Sequence, residues 1–155
     1  MKLEQLDIDT YKNLMQTTFE EMGQMVAIIN PIFLVEYANL SLLNFFKKEA
    51  SEVKNKNIGD VIGCGHIEDG KNESTKTSFC KMCEIRTNFH KVFDKVKEKA
   101  EFDIVREYEI LGEKLVHHLK FKVVPIELNN KPYALCFIDD LAEHDAFLLQ
   151  HNQPD

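Results

Sequence analysis

From residue 102 onward the chain reads as three extended runs divided by two tight turns. Phe102 to Ile110 alternates apolar and polar side chains, and Leu111-Gly112 turns it. Leu115 to Leu128 returns with Leu115, His117, Leu119, Phe121 and Val123 on one face. Asn129-Asn130 turns the chain again, because asparagine tolerates the left-handed backbone that a two-residue hairpin loop requires. Tyr133 to Ile138 follows and is continuously apolar, as a central strand would be. Connections this short join antiparallel neighbours, so any fold for this chain must contain a three-stranded antiparallel meander.

The N-terminal half supplies two more strands. Met25-Val26-Ala27-Ile28-Ile29 is apolar and β-branched, Asn30-Pro31 forces a turn, and Phe33 to Ala38 forms the return strand of a hairpin. Asn39 is placed to cap a short helix carrying Leu40, Leu43 and Phe46. Lys47 to Lys56 reads as a solvated charged stretch, and residues 57–62 as a short turn of helix or extended chain. Two longer helices frame these pieces. Asp9 to Met25 places Tyr11, Leu14, Met15, Phe19, Met22 and Met25 at three- and four-residue steps, with Asp9 or Thr10 as cap. This helix covers the domain's own sheet, meets its copy in a second chain, or does both. Cys83 to Glu101 carries Met82, Ile85, Phe89, Val92, Phe93 and Val96, with Lys91, Lys95, Lys97 and Lys99 toward its C-terminal end. The expected fold is α+β: a five-stranded antiparallel sheet, helices on one face, and an extra N-terminal helix. The expected division is an amphipathic helix over 1–24, a sheet-bearing domain over 25–140 and a tail over 141–155.

A chain of 155 residues is most simply one core-bearing domain. Its net charge of -7 argues against nucleic acid and against an anionic membrane surface as partners. No apolar run approaches the ~20 residues that span a bilayer, and the polar start Met1-Lys2-Leu3-Glu4-Gln5 does not read as a signal peptide. A cytoplasmic setting is therefore expected. There, the four cysteines are more readily reduced, metal-bound or redox-active than locked in structural disulfides.

Three of those cysteines gather between the two sheet-forming halves. Cys64 lies in a glycine-flanked bend with His66, and Cys80-Lys81-Met82-Cys83 opens the long helix. A C-x-x-C at a helix N-terminus places two thiols within one turn, where free amides favour thiolate. Cys64 would make a third ligand, and structural zinc wants a fourth, for which His66, His90 and Cys136 are candidates. Zinc fits this set better than an Fe–S cluster, which takes four thiolates. A reversible disulfide or inert cysteines are the alternatives. A second constellation belongs to the pocket expected between the inner sheet face and the long helix. His117 would look into it and could bind haem iron or a ligand carboxylate, or be a satisfied core histidine. Arg106, sharing parity with Ile104 and Tyr108, would be an anion anchor or an edge residue reaching water. Phe121 and Cys136 would line the same space, Cys136 most simply as a small buried hydrophobe. His118 points to the other face and reads as solvated. No G-x-S-x-G, H-E-x-x-H or P-loop occurs, and no catalytic residues are identified.

The order of these landmarks resembles the PAS sensory domain over roughly residues 20–145. The matching pieces are Ala27-Ile28-Ile29 through Val35-Glu36-Tyr37-Ala38-Asn39, then Asn57-Ile58-Gly59-Asp60-Val61-Ile62, and Leu135-Cys136-Phe137-Ile138-Asp139-Asp140 as the closing strand. Cys64, Cys80 and Cys83 are similar to a cysteine-containing subset of that family associated with histidine kinase signalling. The subset's further loop cysteine is replaced here by Glu73-Ser74-Thr75. The first turn is Asn30-Pro31 where the family carries aspartate and glycine, and Phe46-Lys47 stands where the small helix usually ends in glycine. The resemblance implies a non-catalytic signal-input module, commonly homodimeric, working with a histidine kinase or similar output domain. A pure interaction module with a self-filled cavity is the alternative. A thiol oxidoreductase built on C-x-x-C would need a βαβ context that the sequence does not show.

Overall fold

The computed structural model describes residues 1–63, 84–95 and 98–142, with the backbone alone at Arg106 and Glu109. Among these residues a 3-10 turn at Leu3–Gln5 precedes α1 (Ile8–Glu21), β1 (Met25–Ile29), β2 (Val35–Ala38), α2 (Leu40–Phe46), α3 (Ala50–Val53), α4 (Ile58–Val61), α5 (Glu84–Phe93), β3 (Ala100–Ile110), β4 (Glu113–Leu128) and β5 (Lys131–Asp140). The five strands form one antiparallel sheet in the order β2-β1-β5-β4-β3.

Both two-residue turns form where the sequence spells them. Leu111 and Gly112 take φ of 51° and 76°, and Asn129 and Asn130 take 52° and 62°. Such left-handed pairs match the natural twist of the flanking strands. They pair Ile110 with Glu113 and Leu128 with Lys131, which fixes the register of the whole meander. The result is a set of rungs across the concave face. Ala27, Cys136, Val123 and Ala100 form one; Met25, Ile138, Phe121 and Phe102 form the next. All of these are buried except Phe102, which is half-buried and stacks on Phe121 at 5.2 Å. β5 sits between β1 and β4, which accounts for its unbroken apolar run.

The helices close this face. α5 packs against β3, β4 and β5 through Ile85, Phe89 and Val92. α2 packs on β1 and buries Leu42, Leu43 and Phe46. Each fully buried aliphatic or phenyl side chain contributes about 1.5–3 kcal/mol. Phe33 links the first hairpin to α5: its ring lies 6.1 Å from Phe89, 5.0 Å from His90 and 6.3 Å from Phe93, with the Arg86 guanidinium 4.4 Å from its centre. It does so from a left-handed backbone, φ 67°, in a turn held by Asn30 Oδ1, which accepts from the amides of Ile32 and Leu34.

Several expectations need correction. The helix expected to reach Glu101 ends at Phe93, because Ala100 pairs with Val123 and is drawn into the sheet; of the four lysines only Lys91 lies in its last turn. α1 is capped by Asp7, whose carboxylate accepts the Thr10 amide at 2.7 Å, and it ends before Met25 because that residue starts β1. No residue of α1 is buried; its contact with the sheet is at its end, where the Phe19 ring meets Tyr37 of β2 edge-on at 6.0 Å. Leu40 is exposed and Leu42 takes its expected place. The charged stretch 47–56 is more than solvated chain: Val53 is buried, and Lys56 O and Asn55 N bond Val35, clipping the edge of β2.

Candidate functional site

The concave face becomes more polar toward one end. Its middle rungs are apolar and closed. Cys136 is fully buried there, and burial pushes its thiol up to about 12, so it stays a neutral thiol. Phe121 and Tyr108 are likewise fully buried. Beyond the last β4–β5 pair, Leu119 with Asp140, the β3–β4 ribbon continues alone and pairs His117 directly with Arg106. His117 is half-buried. Its ring contacts Phe45 of α2 at 5.5 Å and Tyr108 at 6.2 Å, and its Nε2 is buried with no hydrogen-bond partner among the described residues. Beside it, a cleft of about 360 Å³ opens between α2 and the end of the sheet, with Met25, Ser41, Phe45, Ile138, Asp139 and Asp140 on its walls.

A second cleft, of about 490 Å³, lies outside the sheet's edge, where α1, β2 and α3 meet. Val35, Leu43 and Val53 form its apolar floor, and Glu20, Glu36 and Lys54 its rim. Tyr37 on this wall donates to Glu20; burial first, and then that carboxylate, push its hydroxyl up to about 12.

Between the two clefts stands Asn39, the one fully buried polar residue in the described core. Its Oδ1 accepts from the amides of Val26 (3.0 Å) and Leu42 (3.1 Å), and its Nδ2 donates to the carbonyls of Phe19 and Gln24 (both 2.9 Å). The sequence marked Asn39 as a cap; its grip on α1 and β1 carried no local signal. Gln24 in turn donates to both carboxylate oxygens of Asp139 on β5, at 3.1 and 3.0 Å.

Cys64, His66, Cys80 and Cys83 lie outside the described residues. His90 is exposed on α5 with its ring against Phe33. Among the described residues no group of three metal-ligating side chains converges. Arg106 is placed by its backbone register opposite His117. His118, expected to be solvated, is instead tied to Asp103 across the ribbon at 2.6 Å. A diagonal pairing of this kind follows from the register that Leu111-Gly112 imposes, and could have been read from it.

A five-stranded antiparallel sheet in this order, with helices across its concave face, defines the class: an α+β cup. More particularly, the fold is that of PAS domains. No family model matches the chain, and no curated protein matches it. Among solved structures, a PAS domain from a two-component sensor histidine kinase is 7% identical, covers 86% of this chain and 99% of its own, and superposes with a TM-score of 0.62. A PAS domain of a protein from Desulfitobacterium hafniense is 19% identical over 81% of this chain and 99% of its own, TM-score 0.56. The PAS domain of an HTR-like protein from Haloarcula marismortui is 13% identical over 86% and 93%, TM-score 0.61. At these identities the likeness establishes the fold. No described helix is long and apolar enough to cross a membrane.

Proposed function

We propose that this chain is a non-catalytic signal-input domain of a two-component or related bacterial system. The observation that carries the reading is the concave face itself: five strands in PAS order closed by α2 and α5 over an apolar core. The likeness to a PAS domain of a sensor histidine kinase supports a histidine kinase or similar output as the partner. The input is a small ligand at the end of the concave face near His117, Arg106 and Tyr108, or metal or redox state at Cys64, Cys80 and Cys83 with His66 or His90. Zinc is the metal this donor set suits best, ahead of an Fe–S cluster or haem.

The domain works as a homodimer through α1. That helix leaves Tyr11, Leu14 and Met15 exposed to 42%, 40% and 38%, and a 14-residue helix with nothing buried is marginal alone in water. A second chain covering this stripe removes both liabilities.

The decisive experiment replaces the input domain of a sensor histidine kinase with this chain and follows autophosphorylation. Zinc, a chelator and a mild oxidant are added in turn, alongside metal analysis and thiol counting of the isolated protein. A change of severalfold in kinase rate, lost when Cys80 and Cys83 are both serine, is the expected result for cysteine input. A kinase rate indifferent to all three, with no bound metal and thiols that do not respond to oxidant, would remove the cysteine half of this reading.

A further inference from the structure

Two apolar features stand uncovered on the surface of this chain. The first is the stripe of α1, where Tyr11, Leu14 and Met15 share one side of the helix and are all exposed. The second is the cleft of about 490 Å³ at the edge of β2. Val35, Leu43 and Val53 close its floor, the small side chains of Ala38 and Ala50 leave it open, and the exposed Leu40 stands on its wall. Contiguous apolar surface of this kind, rimmed by charge, marks a contact site.

The two features are adjacent. Glu20, near the end of α1, lies on the cleft's rim, and Leu14 is about 9 Å further back along the same helix. A stripe and a cleft side by side on one chain permit a two-fold contact, in which each copy's stripe enters the other's cleft. A contact between two α1 helices alone would leave the cleft and Leu40 in water, and a foreign helix in the cleft would leave the stripe in water. The charges also match. Lys12 borders the stripe, three residues before Met15, and is the one basic residue of α1. The cleft's rim sets Glu20 and Glu36 against Lys54. Glu20 is occupied on both oxygens, by the Tyr37 hydroxyl and the Leu40 amide. Glu36 accepts on one oxygen only among the described residues, from Asn30 Nδ2 at 2.9 Å. Two chains of net charge -7 repel each other, so an opposite-charge pair made twice by the two-fold is what a self-contact here requires.

We propose that two copies of this chain join by exchange: the Leu14 and Met15 side of each α1 packs into the other copy's cleft between β2 and α3, with Lys12 against the partner's Glu36. This deepens the homodimer of the signal-input reading, on which it rests, by naming the surface that receives the helix.

The test mixes two charge variants of the full chain, Lys12→Glu and Glu36→Lys, and follows self-association by sedimentation across the micromolar range. Alone, each variant sets like charges together at both contacts and is expected to dimerise about tenfold more weakly than wild type. Mixed, the two restore an opposite pair at both contacts, so a heterodimer of near wild-type affinity is expected, which also shows that both variants fold. Leu40→Gln, at an exposed position on the cleft wall, is expected to weaken the wild-type dimer severalfold. Single variants that dimerise as wild type does, a mixture no tighter than its components, or Leu40→Gln without effect overturns the exchange and leaves some other α1 dimer in place. A wild-type chain that stays monomeric overturns both the exchange and the dimer. A kinase chimera that still answers zinc or oxidant in either case keeps signal input standing.

Discussion

Replacing Asn39 tests how α1, β1 and α2 are held together. Asn39→Ala removes four hydrogen bonds at once from a fully buried position. The Leu42 amide loses its helix cap, which costs about 1 kcal/mol. The buried Val26 amide is left without an acceptor, at about 1–3 kcal/mol. The Phe19 and Gln24 carbonyls are partly buried and regain water, so together they cost about 1 kcal/mol more. The sum is about 3–5 kcal/mol, a large fraction of the ~5–15 kcal/mol that stabilises a domain. Urea denaturation followed by circular dichroism reads this directly, with an unchanged slope. Asn39→Ser retains the cap oxygen but is too short to span to Phe19 and Gln24, so it should recover only about 1 kcal/mol. Hydrogen exchange gives a second readout, since the Val26 amide should lose protection in both variants. A loss near 1 kcal/mol for Asn39→Ala would mean that Asn39 is only a cap, and the reasoning would fail.

Three further outcomes follow from the same coordinates. Phe33 combines a buried ring with a left-handed backbone, so Phe33→Gly should destabilise by about 1 kcal/mol less than Phe33→Ala, since both lose the ring and only glycine relieves the strain; urea midpoints in the reverse order would contradict this. The Cys136 thiol is pushed up from 9.0 to about 12 by burial, so the unfolded chain releases that proton first and stability is lost as pH rises from 9 toward 12. At about pH 10.5 the loss is about 2 kcal/mol relative to pH 8, and Cys136→Ala should abolish that part of the pH dependence; parallel pH profiles for the two proteins would refute the assignment. Leu14→Glu and Met15→Glu place charge in the exposed stripe of α1 and should convert dimer to monomer in sedimentation at about 50 µM, with no loss of the sheet's circular dichroism, whereas a wild-type chain that is monomeric there contradicts the dimer reading.

What the sequence revealed was local. Leu111-Gly112 and Asn129-Asn130 fix a meander because the two-residue turn dictates both direction and register, and the rung of His117 with Arg106 follows by counting outward. The central seat of β5 was legible from Leu135 to Ile138 because a strand covered on both sides has no polar period. The insertion of β1 between β2 and β5 was not legible from periodicity, since Ala27 meets Cys136 more than a hundred residues away and no local signal carries that pairing. The helix ends were misplaced for a similar reason: Ala100 and Met25 continue a helical pattern locally, and the sheet overrides it. Phe33 was invisible as a link because its importance lies in α5, and a phenylalanine in a left-handed turn is contrary to propensity. The thiol cluster, the most conspicuous feature of the sequence, lies in residues 64–83, outside those described.

α1 joins the domain through polar tethers at one end. Asn39 holds the Phe19 carbonyl, Tyr37 and the Leu40 amide hold Glu20, and Ser41 donates to the Met22 carbonyl, while the rest of the helix buries nothing. Bonds of this kind fix direction more than they add stability, since each contributes only about 1 kcal/mol net. The same asparagine accepts the Val26 amide of β1, and Gln24 ties the link between α1 and β1 to Asp139 at the end of β5. Movement of β1 at Val26 must therefore either break one bond of Asn39 or carry the end of α1 with it. The second course keeps every bond of Asn39, so it is the cheaper one, and it gives a change at the concave face a route to the exposed stripe of α1.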